Sequence, residues 1–129
     1  MTRIRLREAR ALAKLGMNDG AYYLAGYSVE CALKACIAKA TQRHDFPDKR
    51  KADASYTHSF RELLKVAGLA KAQTEEAKRD PLFRDNWDLV QSWSEQSRYG
   101  TAHAETAKKL IEAVGDHSHG VLRWIKLHW

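Results

Sequence analysis

Apolar residues recur with a helical period over most of this chain, and no segment of strand length alternates apolar with polar positions. Over residues 3–16, Leu6, Ala9, Leu12, Ala13 and Met17 fall on one stripe, and Arg3, Arg7, Arg10 and Lys14 on another. Gly16 and Gly20, with Asn18 and Asp19 between them, mark a stop and a new start. Residues 20–42 predict a long central helix that is apolar nearly all round from Ala21 to Ile37, and such a helix is buried on most sides. Its small residues, Ala25, Gly26, Ser28, Ala32 and Ala35, let neighbours come close. Glu30 and Lys34 interrupt it, one turn apart with the acid N-terminal, the favourable order for a pair.

Residues 43–57, with Pro47 and the basic run Lys49-Arg50-Lys51, read as a mobile loop. A shorter helix over 58–67 places Phe60, Leu63, Leu64 and Ala67 on one face and stops at Gly68. Residues 70–80 are polar and helix-prone. Asp80 before Pro81 is a start signal for a helix to about Trp93, with Phe83, Trp87 and Val90 on a shared face. The pattern breaks over 94–101, where Thr101 is a candidate cap. A last helix is expected from about 102 to 127, carrying Ala107, Ile111, Val114, Ser118, Val121 and Ile125 on one face and weakened locally at Gly115 and Gly120. The sum is an all-α, up-down helical bundle of four to five helices with short connections, in one domain over 1–129.

Composition narrows the class. A chain of 129 residues with 44% hydrophobic and 29% charged residues can bury a core without disulfides or metals. No apolar run approaches the roughly 20 residues of a membrane span, and the charged N-terminus lacks a signal peptide's apolar stretch. Cys31 and Cys36 lie five apart in one helix, on different sides of the cylinder, and should not bridge. These features point to a cytoplasmic protein with no membrane partner. The net charge of +6 raises the expectation of nucleic-acid contact without establishing it.

The residues that invite chemistry are Arg98 and His103, in Arg98-Tyr99-Gly100-Thr101-Ala102-His103. That spacing and the stretch Ala21 to Ala35, followed by His58 and by Leu63-Leu64, resemble the HEPN family (higher eukaryotes and prokaryotes nucleotide-binding domain) over roughly residues 5–127. The resemblance implies a helical bundle that often dimerises. It implies that Arg98 and His103 from two protomers form a metal-independent ribonuclease site, often in toxins or antiviral effectors. It also implies the alternative of a non-catalytic module that binds a nucleotide or a minimal nucleotidyltransferase, which would be its antitoxin partner. On this reading the partners are a second copy of the chain, RNA or a nucleotide, and such a nucleotidyltransferase; no cofactor is required. Tyr99 and Thr101 would contact substrate, with Glu30 and Lys34 as a polar anchor beside the site. Two positions depart from active relatives: Tyr99 stands where a small polar residue usually follows the arginine, and Glu105 stands where some toxins carry a modifiable tyrosine.

The residue types suit the chemistry. RNA cleavage without metal needs a base at the 2′-hydroxyl, an acid for the leaving oxygen and a cation for the phosphorane charge. An imidazole supplies the first two roles, and a guanidinium binds phosphate with two parallel donors. Other features have structural readings: Glu30 and Lys34 as an ion pair within the bundle, Tyr22, Tyr23 and Tyr27 as packing residues, and the arginine stripe either as a solvated face or as a phosphate track. His117, His119 and His128 lack an accompanying cysteine or acid cluster at ligand spacing, so no metal site is expected.

Overall fold

The computed structural model describes residues 2–43, 58–96 and 103–129. Seven helices lie among the described residues, and no strand. They are α1 (Thr2–Lys14), α2 (Asn18–Arg43), α3 (Phe60–Ala67), α4 (Ala70–Arg79), α5 (Pro81–Gln96), α6 (Ala104–Gly115) and α7 (Val121–Lys126). The loop expected over 43–57 lies outside the described residues from residue 44 onward.

The α1–α2 hairpin turns at Gly16, whose φ of 77° is in the left-handed region that favours glycine. The N–H of Met17 reaches back to the Leu12 carbonyl at 2.9 Å and closes the end of α1. α2 is the central element. Ala21, Ala25, Val29, Ala32 and Leu33 are fully buried within it, so its nearly continuous apolar character reflects neighbours on several sides: α1, α3, α6 and α7 all pack on it. Small residues serve close approach here. A Cβ on Gly26 would meet the Trp93 ring at 2.1 Å, so the indole lies flat on the α2 backbone. Phe60 stacks on the same indole with centroids 5.4 Å apart.

α3 starts at Ser59, whose hydroxyl accepts the Glu62 N–H, and ends at Gly68 in the left-handed conformation (φ 75°). Phe60, Leu63 and Leu64 are buried. α5 begins as Asp80 and Pro81 predict: the Asp80 carboxylate accepts the Leu82 and Phe83 N–H groups at 3.1 and 3.3 Å. Phe83, Trp87 and Val90 are buried, and both aromatic rings pack against Trp124 of α7.

Several sequence expectations need correction. The predicted four to five helices are exceeded: seven lie among the described residues, because the polar 70–79 stretch is a separate helix and the single helix predicted over 102–127 is two. Asp116 makes the break. Its carboxylate accepts the N–H groups of Ser118 and His119 at 2.8 and 2.7 Å, satisfying in a turn the donors a helix would have paired. Gly120 completes it, since a Cβ there would meet the Asp116 carbonyl oxygen at 2.3 Å. Ser118 is accordingly exposed on that turn, while the rest of the predicted face, Ala107, Ile111, Val114, Val121 and Ile125, is buried. The second correction is at the start of α6, where His103 rather than Thr101 occupies the N-cap position. Met17 is also exposed rather than part of the buried α1 stripe.

Candidate functional site

His103 stands immediately before α6 with extended backbone (φ −80°, ψ 157°), and its carbonyl accepts the Ala107 N–H at 3.0 Å. The ring makes no capping bond and is exposed. The helix behind it is fixed: Ala107, Leu110, Ala113 and Val114 are buried, and α6 packs on α2. An imidazole that faces water at the end of a well-anchored helix is positioned by the core without being consumed by it. The first N–H groups of α6 have no acceptor within the helix and lie beside that ring, where they favour an anion. Arg98, Tyr99 and Thr101 lie outside the described residues.

Glu30 and Lys34 are a contacting pair. The Glu30 carboxylate, about 2% exposed, lies 3.6 Å from the Lys34 ammonium and 2.7 Å from Nδ1 of His58. A buried carboxylate with only one partially exposed lysine would be poorly compensated. The imidazole, brought in by the start of α3 from 28 residues away, supplies the second contact. His58 is half exposed, so the trio opens to solvent on that side. Among the described residues, Glu30 pairs with Lys34 and His58, and no hydrogen bond or ion pair joins His103 to them.

A second histidine–carboxylate pair joins α5 to the turn before α7. Nδ1 of His119 lies 2.6 Å from Asp80 Oδ2, and the Asn86 amide donates to the His119 carbonyl at 2.9 Å. The hydrogen bond from His119, with those from the Phe83 and Leu82 backbone, holds the Asp80 carboxyl below the usual carboxylate range. The His119 and Ser118 N–H groups do the same for Asp116. His117 and His119 therefore sit in a turn rather than on a helix. Among the described residues no cluster of three or more His, Cys, Asp or Glu side chains is placed to hold a metal.

The cysteines are free, and burial pushes both thiols up from their ordinary value. Tyr23 and Tyr27 stack on one another, with Tyr23 44% exposed, so this part of α2 is less completely packed than its sequence implies. The arginine stripe was visible in the sequence, but Arg123 and Lys126 were not grouped with it. α7 brings them to the same cleft as Arg3, Arg7 and Arg10, while Lys14 does not line it.

The fold and these groups define an all-α bundle that presents an exposed histidine at the start of a core helix and a buried glutamate held by a lysine and a second histidine. Residues 3–128 match the sequence profile described as the HEPN domain, and the chain belongs to that family. No curated protein and no solved structure matches it. No helix among the described residues is long and apolar enough to cross a membrane.

Proposed function

We propose that this chain is a metal-independent endoribonuclease of the HEPN family, acting in the cytoplasm as a homodimer, with His103 as general acid/base and Arg98 as the phosphate-binding cation. The observation that carries the reading is His103 itself. In a chain that matches the family over residues 3–128, this side chain is exposed, free of a capping bond and five positions after an arginine. In the reaction, one imidazole takes the proton of a ribose 2′-hydroxyl and that oxygen attacks the adjacent phosphorus. The bond to the 5′-oxygen breaks, and a protonated imidazole supplies the leaving oxygen's proton. The guanidinium and the N–H groups at the α6 start stabilise the charge on the phosphorane. A dimer supplies two imidazoles, one for each proton transfer. Tyr23, partly open on α2, suits an interface that includes α2 and the C-terminal helices.

Within this reading Tyr99 and Thr101 contact the substrate. Glu30 and Lys34 are a polar anchor beside the site, holding α2 and the α3 start together with His58. The biological setting is a toxin–antitoxin or antiviral system, with a minimal nucleotidyltransferase as antitoxin partner. Tyr99 and Glu105 favour a second reading, a non-catalytic module that binds a nucleotide or that partner, because both replace residues of active relatives.

The test is cleavage of a mixed-sequence RNA by the wild type, His103→Ala and Arg98→Ala, each with chelator. Loss of a general acid/base lowers the rate by about 10²–10⁴-fold. The expected result is chelator-resistant cleavage by the wild type and a drop of that order in both variants. Equal rates in all three, or wild-type cleavage abolished by chelator, would overturn the proposal.

A further inference from the structure

The geometry points to a second RNA-contacting site at the opposite end of α6 from His103: a basic cleft that grips the phosphate backbone of a single strand, continuous with an aromatic-walled cleft that stacks its bases. The choice of RNA rests on the function proposed above; the site itself rests on the following contacts.

The cleft, of about 490 Å³, lies between α1, the C-terminal end of α6 and α7. Arg3, Arg7 and Arg10 line one wall and Arg123 and Lys126 the other. None of the five forms an ion pair with a described carboxylate. The one acid on the lining is Asp116, and its carboxylate is already engaged by two backbone N–H groups. Such charges repel one another. Burial and then the charge of Arg3 push the Lys126 ammonium below its ordinary range. Uncompensated cations converging on one concavity are the electrostatic footprint of a polyanion site. The Arg10 guanidinium lies against the end of α6, 2.5 Å from where a Cβ on Gly115 would stand.

The arrangement is linear. Arg3 to Arg10 covers seven residues of helix, about 10 Å, which is more than one phosphate group needs. Arg3 also lines a neighbouring cleft of about 460 Å³ with Tyr27, Cys31, Lys34 and Trp129. Trp129 is 39% exposed, its indole N–H donates to the Ala32 carbonyl at 3.4 Å, and Lys126 sits 6.0 Å from its ring centroid. Cations that track a backbone beside an exposed, tethered aromatic are the two elements of single-strand recognition. An acidic peptide would use the cations but not the indole. Gly115 ends a helix of 12 residues that begins next to His103, so the cleft is about 18 Å from the proposed catalytic group along α6. It is an extended grip and not part of that centre.

The test uses a fluorescent 12-nucleotide RNA with 2′-O-methyl groups, which cannot be cleaved through the 2′-oxygen, so that binding is read apart from catalysis. Arg7→Ala/Arg123→Ala should bind at least tenfold more weakly than the wild type, with the slope of log K against log salt smaller by about 1.4, two phosphate contacts at roughly 0.7 each. Trp129→Ala should weaken binding about tenfold with the slope unchanged. Lys65→Ala/Arg84→Ala, exposed cations elsewhere, should bind like the wild type. If the chain cleaves RNA, Arg7→Ala/Arg123→Ala should raise KM and leave kcat in place. Wild-type-like binding by the arginine pair, no binding by the wild type, or equal affinity for polyglutamate of the same charge would each overturn the inference. Failure of catalysis alone, with the binding pattern intact, would overturn the proposed nuclease and not this site.

Discussion

Asp80 and His119 meet at 2.6 Å although 39 residues separate them, and through that contact the start of α5 is tied to the turn that divides α6 from α7. Asp80 does two things at once: one carboxylate oxygen caps α5 and the other takes the histidine. Asp80→Ala removes both and should lower Tm by about 4 °C, while Asp80→Asn should cost less, because its amide oxygen can still cap. Thermal melts of the three proteins at neutral pH check this.

The same pair sets a pH dependence. Asp80 and Asp116 both have carboxyls depressed in the folded chain, so each contributes stability that is present above the ordinary carboxylate range and lost as pH falls through the folded value. The gap in Tm between the wild type and Asp80→Asn should therefore be widest near neutrality and close as pH falls below about 4. A gap that widens in acid would show that the carboxylate is not the stabilising form.

Gly26 has no room for a side chain. Gly26→Ala would drive a methyl into the Trp93 ring and should destabilise by about 1–3 kcal/mol, the usual cost of overpacking. Urea unfolding followed by tryptophan fluorescence measures it. Gly16, with open space around it, should tolerate Ala sterically but lose stability through its positive φ.

Glu30 is buried and Lys34 is only partly so, which makes the two sides of their pair unequal. Lys34→Met should destabilise more than a typical surface change, by about 1–3 kcal/mol, because it takes a partner from a carboxylate with little access to water. Lys34→Met combined with Glu30→Gln should recover part of the loss. A strictly additive double variant would mean that the pair does not interact.

Much of the bundle was legible because it depends on local chemistry. Phe83, Trp87 and Val90 repeat at helical spacing, Asp80-Pro81 is a start signal, and Gly68 a stop; each does in the fold what it signals in the sequence. The division of the last helix was not legible. Ala107 through Ile125 keeps its apolar period across the break, and the Asp116 turn is stabilised from α5 by Asp80 and Asn86, residues remote in sequence. His58 as the second partner of Glu30, and Arg123 and Lys126 as the second wall of the arginine cleft, were hidden for the same reason: each depends on which helices become neighbours. Of the proposed chemistry, the pattern located His103 at the head of the helix, and the structure adds that its ring makes no capping hydrogen bond and is exposed.

The most direct measurement is the chemical identity of the ends left on a defined RNA cut in the presence of chelator. Attack by the neighbouring 2′-oxygen, assisted by His103, predicts a 2′,3′-cyclic phosphate and a 5′-hydroxyl, both absent from digests with His103→Ala and from a substrate carrying 2′-deoxyribose at the cut. A 3′-hydroxyl with a 5′-phosphate, or the same products in full yield from His103→Ala, would contradict it.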